Sequence, residues 1–214
     1  LAFVLGKKLR GPGVGLPDVL RATEYVVPAI EIVDARLQDQ RKIFDTISDN
    51  GAAAGIVIGG RPVGPLDVDL RWVGGSMYKN SEIEETGVAA GVLGHPALGV
   101  AWLANKLGQH GVALEPGHLV LAGSFTRVVF ANKGATLHAD FGPLGGIAVQ
   151  FLPLYDCVDA LTSGINGWNA AGCLLDLGAV GHRLPRLREL ECQAVARLQV
   201  RLIEAGEGEV RPGG

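Results

Sequence analysis

Glu31 sits inside Val26-Val27-Pro28-Ala29-Ile30-Glu31-Ile32-Val33, a run that is otherwise apolar. An ionised carboxylate buried in such a strand needs a cation, a metal or several hydrogen bonds to satisfy it; on a strand edge it would face water instead, and the segment alone leaves both readings open. Asp34-Ala35-Arg36 just downstream reads as a local ion pair. The stretch Lys42-Ile43-Phe44-Asp45-Thr46, followed by Ser48-Asp49-Asn50, gathers a cation, two carboxylates and three hydrogen-bonding side chains into nine positions. That is an ordinary polar loop or the rim of a site. Gly123-Ser124-Phe125-Thr126-Arg127 follows a strand-like run and offers hydroxyls, backbone N–H groups and a guanidinium, a set suited to receiving a carboxylate.

Other chemistries find little support. His95, His110, His118, His138 and His182 show no HxH or HExxH spacing, which argues against histidine-based zinc. There is no GxSxG elbow, and Gly13-Val14-Gly15 runs into Leu16-Pro17-Asp18 without the third glycine of a dinucleotide loop. Cys157, Cys173 and Cys192 match neither a zinc site nor a CxxC pair; an odd count without short spacings fits a reducing compartment. Trp72, Trp102 and Trp168 are isolated and read as core or interface anchors.

The elements that would position these groups alternate irregularly. Leu1 to Leu5 reads as a buried strand, Gly11 to Gly15 as a loop, and Leu16 to Tyr25 as a helix with Pro17 in its first turn and Asp18 near the positive end of its dipole. Val26 to Leu37 is strand-like and β-branched, and Gly55 to Gly60 is a short buried strand before the turn Arg61-Pro62. Val68 to Tyr78 and Glu82 to Val88 flank a hairpin turn at Lys79-Asn80-Ser81. His95-Pro96 to Gly111 is the clearest helix, with Leu98, Ala101, Leu103, Ala104 and Leu107 at helical spacing. Short strands follow at Leu119 to Gly123, Arg127 to Ala131, Thr136 to Phe141 and Gly145 to Phe151, and an amphipathic helix is expected from about Leu187 to Glu204. Strands dominate without a βαβα order, so the class is α+β with an antiparallel or mixed curved sheet.

With 214 residues, 48% apolar and 19% charged, and a net charge of −3, the chain has the composition of a globular domain rather than a disordered one. No lysine/arginine cluster supplies a phosphate-neutralising surface, so no nucleic-acid partner is expected. The apolar runs are too short to span a bilayer and the first residues lack signal-peptide order, which predicts no membrane partner and a cytoplasmic chain. Composition changes after Phe151: no lysine occurs from Leu152 onward. Two parts are therefore expected, 1–151 and 152–214.

The segments LAFVLGKKLRGPGV, DVLRATEYVVPAIEIVDAR, KIFDTISDN, GGRPVGPLDVDLRWVGGSMYKN, IEETGVAAGVLGHPALGVAWLANKLGQHG and GSFTRVVFANKGATLHADFGPLGGIAVQF resemble the hydratase/decarboxylase group of the fumarylacetoacetate hydrolase superfamily. The resemblance runs over 1–151 almost without interruption. KIFDTISDN and GSFTR are most similar to the versions in hydratases of 2-oxohept-4-ene-1,7-dioate; 4-oxalocrotonate-type decarboxylases and 2-hydroxypentadienoate hydratases are the neighbouring alternatives, and a non-catalytic partner subunit is a further one.

The resemblance implies the superfamily's curved mixed β-sheet with few helices, and magnesium, with manganese as an alternative, held by three carboxylates. Glu31 matches the third metal ligand. The other two, a Glu-x-Glu pair, and a family active-site lysine would precede Leu1, so the catalytic domain is expected to be N-terminally truncated and the chain as it stands impaired. Lys42 and Thr46 match the Lys-x-Phe-Asp-Thr active-site element, with Lys42 as the catalytic cation. Ser124 and Thr126 match the loop that receives the substrate carboxylate, and Arg127 adjoins them as a substrate-binding residue. The implied substrate is a small 2-oxo diacid, and the implied partners are further copies of the chain and a pathway decarboxylase. Residues 152–214 resemble nothing in the group, and a frameshift or read-through would account for them.

Overall fold

The computed structural model describes residues 1–37, 41–152 and, for the backbone alone, 200–202. The chain divides into two compact units: Leu1–Val129 together with His138–Ile147, and Phe130–Leu137 together with the residues from Ala148 onward. Among the described residues the architecture is α+β, with short strands outnumbering helices, as the composition of elements led us to expect. No helix among them is long and apolar enough to cross a membrane.

The first unit is organised by β1 (Ala2–Leu5), which lies antiparallel between β2 (Thr23–Val27) and β7 (Leu119–Leu121). Phe3 faces Val26 on one side and Val120 on the other, and all three are buried. Burial on both faces explains why the strand reads as an unbroken apolar run instead of an alternating one. Helix α1 (Leu16–Ala22) opens with the Asp18 carboxylate accepting the Gly15 N–H at 2.8 Å. It stops three residues short of the expected Tyr25. Thr23 turns to extended backbone, returns its hydroxyl to the Val19 carbonyl at 2.7 Å, and begins the strand that pairs with β1. Long-range pairing of Thr23, Tyr25 and Val26, residues well suited to strands, outweighs the helical periodicity.

The single strand expected over Val26 to Leu37 is also divided. Pro28 has no N–H to give a ladder, and the chain resumes as β3 (Ala29–Val33), which pairs with β4 (Ala53–Ile58) in a separate two-stranded sheet. Between them lies α2 (Ile43–Ser48). Strands β5 (Gly74–Lys79) and β6 (Glu82–Val88) form the expected hairpin, with Asn80 and Ser81 both at positive φ in the two-residue turn, as a tight hairpin requires. The segment before it is no strand: Leu70–Trp72 is a 3-10 turn that Asp69 caps through the Arg71 N–H.

Helix α3 (Pro96–Gly108) starts as expected and ends before Gly111. His95 Nδ1 accepts the Ala97 N–H at 3.1 Å. Burial, with Arg71 nearby, holds this imidazole below its ordinary pKa of 6.5, which keeps Nδ1 available as the cap. Strand β8 (Thr136–Asp140) and β9 (Gly146–Phe151) follow, each running from one unit into the other. The strand expected over Arg127 to Ala131 does not form. In the second unit, Phe151 donates to Ala135 and accepts from Gly134, and its strand pairs antiparallel with β10 (Val200–Leu202). The amphipathic helix expected over 187–204 lies outside the described residues except at 200–202, where the backbone is a strand.

Candidate active site

Glu31 is the exposed centre of an apolar face. It stands directly opposite Ile56 in the β3–β4 register, and Ala29 stands opposite Ile58; opposed residues share a face, so Glu31, Val33, Ile56 and Ile58 project together. All four are exposed, whereas Ile32 and Val57 on the reverse face are buried. In this chain the Glu31 carboxylate is exposed to solvent. The carboxylate lines a cavity of about 790 Å³ with Asn50, Ile56, Leu103, Leu114 and His118, and His118 Nδ1 is engaged by the Glu115 N–H at 3.1 Å.

Glu31 is the one carboxylate in that lining. Among the described residues no group of three or more histidine, cysteine, aspartate or glutamate side chains is placed to hold an ion. Magnesium wants hard oxygens in near-octahedral order. The described residues thus do not by themselves fit a bound magnesium ion.

The segment expected as a loop or site rim forms α2. Lys42 donates its N–H to Asp45 Oδ2 at 2.8 Å, while its carbonyl accepts the N–H groups of Asp45 and Thr46 at 3.1 and 3.2 Å. This is N-terminal capping by a first-turn carboxylate. It leaves the Lys42 side chain exposed and Thr46 half-buried, with Oγ1 3.5 Å from the Lys42 carbonyl. None of the helix residues is buried, so α2 depends on its ends.

The C-terminal end is anchored by a pairing the sequence reading assigned otherwise. Arg36 partners Asp49, not Asp34. Its Nη1 donates to Asp49 Oδ1 at 2.6 Å and to the Asp49 carbonyl at 3.0 Å, its Nη2 to the Ala53 carbonyl at 2.6 Å, and its N–H to Asp49 Oδ2 at 2.9 Å. The Asp49 residue is 7% exposed, and the Arg36 hydrogen bonds hold its carboxyl below the ordinary value of 3.8. Immediately after it, Asn50, Gly51 and Ala52 take φ values of 52°, 69° and 61°. Such a left-handed run is strained at Ala52, which persists only where neighbours impose it.

The third group lies in residues 123–127. Ser124 Oγ donates to the Thr126 carbonyl at 2.8 Å and accepts the Thr126 N–H at 3.4 Å, so this hydroxyl closes its own loop. Arg127 pairs with Glu85 at 2.8 Å; its side chain is 86% exposed and that of Glu85 18%. Phe125 between them meets Phe141 edge to face, with centroids 6.1 Å apart.

Of the six expected site residues, Glu31 alone lines the cavity described above; Lys42, Thr46, Ser124, Thr126 and Arg127 do not. Asn50, from the polar stretch 42–50, also lines the cavity, whereas the pairing of Arg36 with Asp49 and the role of Glu85 are not visible in the sequence. Asp49 and Arg36 are thirteen positions apart, beyond any local pattern, although an arginine and an aspartate flanking one helix was a usable hint.

No family model matches the chain. Curated relatives do. It is 58% identical over 159 residues to a 2-oxo-hept-4-ene-1,7-dioate hydratase of Escherichia coli, covering 71% of this chain and 60% of that protein. A 2-hydroxyhexa-2,4-dienoate hydratase of Comamonas testosteroni is 41% identical over 152 residues, 71% of this chain and 58% of that one. A solved structure of 4-oxalocrotonate decarboxylase from Pseudomonas putida G7, complexed with magnesium and adipate, superposes with a TM-score of 0.66 at 34% identity, over 69% of this chain and 56% of that one. The chain thus spans about 60% of the length of the curated relatives it matches. Over the matched residues it is similar to these 2-oxo-hept-4-ene-1,7-dioate and 2-hydroxyhexa-2,4-dienoate hydratases and to 4-oxalocrotonate decarboxylases.

Proposed function

We propose that the whole protein is a lyase that adds water to 2-oxohept-4-ene-1,7-dioate to give 4-hydroxy-2-oxoheptanedioate, within aromatic meta-cleavage catabolism of the 4-hydroxyphenylacetate type. The observation that carries this reading is the 58% identity to a hydratase of that substrate, against 35% to a 4-oxalocrotonate decarboxylase. In the conjugated 2-oxo-3-enoate form C4 is electrophilic. Water oxygen bonds to C4, a proton is delivered to C3, and negative charge collects transiently on the C2 oxygen.

On this reading the Lys42 ammonium faces that oxygen, since a fixed cation stabilises developing charge. Thr46 orients it, and Ser124, Thr126 and Arg127 receive a substrate carboxylate. Glu31 is one ligand of a divalent metal, magnesium or manganese, whose remaining ligands belong to the part of the relatives' length that these residues do not span. The magnesium and calcium in the solved decarboxylase structures support the metal. Residues 1–151 are the N-terminally incomplete catalytic part and 152–214 a non-family extension, in line with relatives that match 71% of the chain. The whole protein is a cytoplasmic homo-oligomer acting on a small diacid, with a pathway decarboxylase as a further partner.

The test uses these residues joined to the full length of a relative's domain. Incubated with magnesium and the seven-carbon substrate, it should yield the 4-hydroxy product without carbon dioxide; release of carbon dioxide would favour the decarboxylase. Glu31→Gln keeps the shape and removes the charge. By calorimetry it should lower magnesium affinity about 100-fold or more, at least as much as loss of an outer-shell partner does. Unchanged affinity would remove Glu31 from the ligand set. Adipate, a saturated diacid that cannot be hydrated, serves as the binding probe. The 214-residue chain alone should bind magnesium weakly.

A further inference from the structure

The hairpin of β5 and β6 sets Gly75 directly opposite Gly87, and the two form a bare patch on one face. Neither has a left-handed backbone that would call for glycine. What excludes a side chain is space. A Cβ on Gly87 would overlap the carbonyl oxygen of Phe125, and one on Gly75 would stand 2.5 Å from Cε2 of the Phe125 ring. Glycine inside a strand forfeits packing and costs conformational entropy, and is used where another backbone comes close. Here the backbone is that of residue 125, between Ser124 and Thr126. Glu85 lies two positions before Gly87 on the same strand and holds Arg127, so both Phe125 and Arg127 are referred to β6.

We propose that the Gly75–Gly87 patch and Glu85 are a positioning site that sets Ser124, Thr126 and Arg127 for the substrate carboxylate, with Phe125 as the wedge. This rests on the reading of that loop as the carboxylate receiver. The patch acts at two strengths. Gly87 underlies a backbone atom, which no side-chain change can move aside; Gly75 underlies the far edge of a ring, which a smaller residue would vacate.

The experiment uses the full-length protein with magnesium. Gly87→Ala, Gly75→Ala, Gly75→Ala with Phe125→Leu, and Gly87→Ala with Phe125→Leu are compared for KM, kcat, adipate affinity and amide exchange of residues 124–127. Gly87→Ala should lower kcat/KM by about 100-fold, the scale of a 1 Å misplacement, with weakened adipate binding. Adding Phe125→Leu should not rescue it. Gly75→Ala should lose less, and Phe125→Leu should restore most of that loss. Equal rescue of both glycine variants, or unchanged KM and adipate affinity in a folded Gly87→Ala, would overturn the proposal. Should Gly87→Ala fail to fold, the Gly75 pair and its rescue decide. A parent that neither turns over substrate nor binds adipate defeats the carboxylate reading itself. The seat is then judged by exchange alone: faster exchange at 124–127 in Gly75→Ala that Phe125→Leu reverses sustains it, and unchanged exchange overturns it.

Discussion

Two segments present the residues proposed to meet substrate, and they are held by opposite means. Helix α2, with Lys42 and Thr46, buries none of its side chains and is pinned at its end by Arg36 on Asp49 and on the Asp49 and Ala53 carbonyls. Residues 123–127 are held by shape, with Phe125 fitted to two glycines and to Phe141, and the ion pair Arg127–Glu85 lies at the rim. The first arrangement depends on charge and tolerates changes of volume. The second tolerates changes of charge and fails when a methyl group is added.

The largest effect on overall stability therefore belongs to the shape-held segment. Gly87→Ala adds a single carbon where a carbonyl already sits, and overpacking of a filled site costs about 1–3 kcal/mol. Denaturant titration should show the loss, while amide protection across 43–48 stays as in the parent. A matching loss in α2 would mean that the two segments are not independent.

Arg36→Ala is next and should behave differently. It leaves the Asp49 carboxylate without its guanidinium and two carbonyls without their donor. Because α2 buries nothing, the damage stays local: amide protection over 43–53 should collapse while the global midpoint moves little, as expected of a segment with its own opening free energy. Arg36→Lys should recover only part, since an ammonium lacks the planar fork that spans these oxygens.

How far this contrast was legible in the sequence differs from residue to residue. The buried strand at Ala2–Leu5, the Asn80-Ser81 turn and the start of α3 at His95-Pro96 follow from local patterns and stand as expected. Thr23 to Tyr25 reads as a continuing helix because its alternative, pairing with β1, lies some twenty residues away along the chain. Pro28 was visible, yet its division of the strand emerges only from the two different partners of β2 and β3. The glycines at 75 and 87 locally suggest bulges or turns, and their purpose depends on Phe125, 50 and 38 residues further along the chain. For the site, the resemblance supplied Glu31, Lys42, Thr46, Ser124 and Thr126. It could not supply what supports them, because Arg36–Asp49 and Gly75–Gly87 are pairings across the fold.

Acid should separate the two segments without any mutation. The folded-state pKa of Asp49 is depressed below 3.8 by its hydrogen bonds from Arg36. A depressed carboxylate contributes stability that is fully present above its unfolded value and is lost as pH falls from there through the folded value. Protection of 43–53 should accordingly hold down to about pH 4 and decline below it, as ordinary carboxylates also begin to protonate. The 123–127 segment, with packing as its main support, should keep its protection longer on the same titration. Simultaneous loss would show that acid unfolds the unit as a whole.

The smallest effect is expected at the rim. Glu85→Gln removes the charge opposite Arg127 but keeps the shape, and an ion pair with one partner 86% exposed contributes about 0–1 kcal/mol. Thermal midpoints of parent and variant should nearly coincide, and any gap should close as salt is raised, because exposed charges are screened within about 8–10 Å at physiological ionic strength. The functional consequence is separate from the stability. If Glu85 helps to aim the Arg127 guanidinium at the carboxylate, adipate affinity should fall in Glu85→Gln while stability stays unchanged. A rise or no change at low salt would mean that Glu85 merely neutralises Arg127, and would leave the positioning to the glycine patch and Phe125 alone.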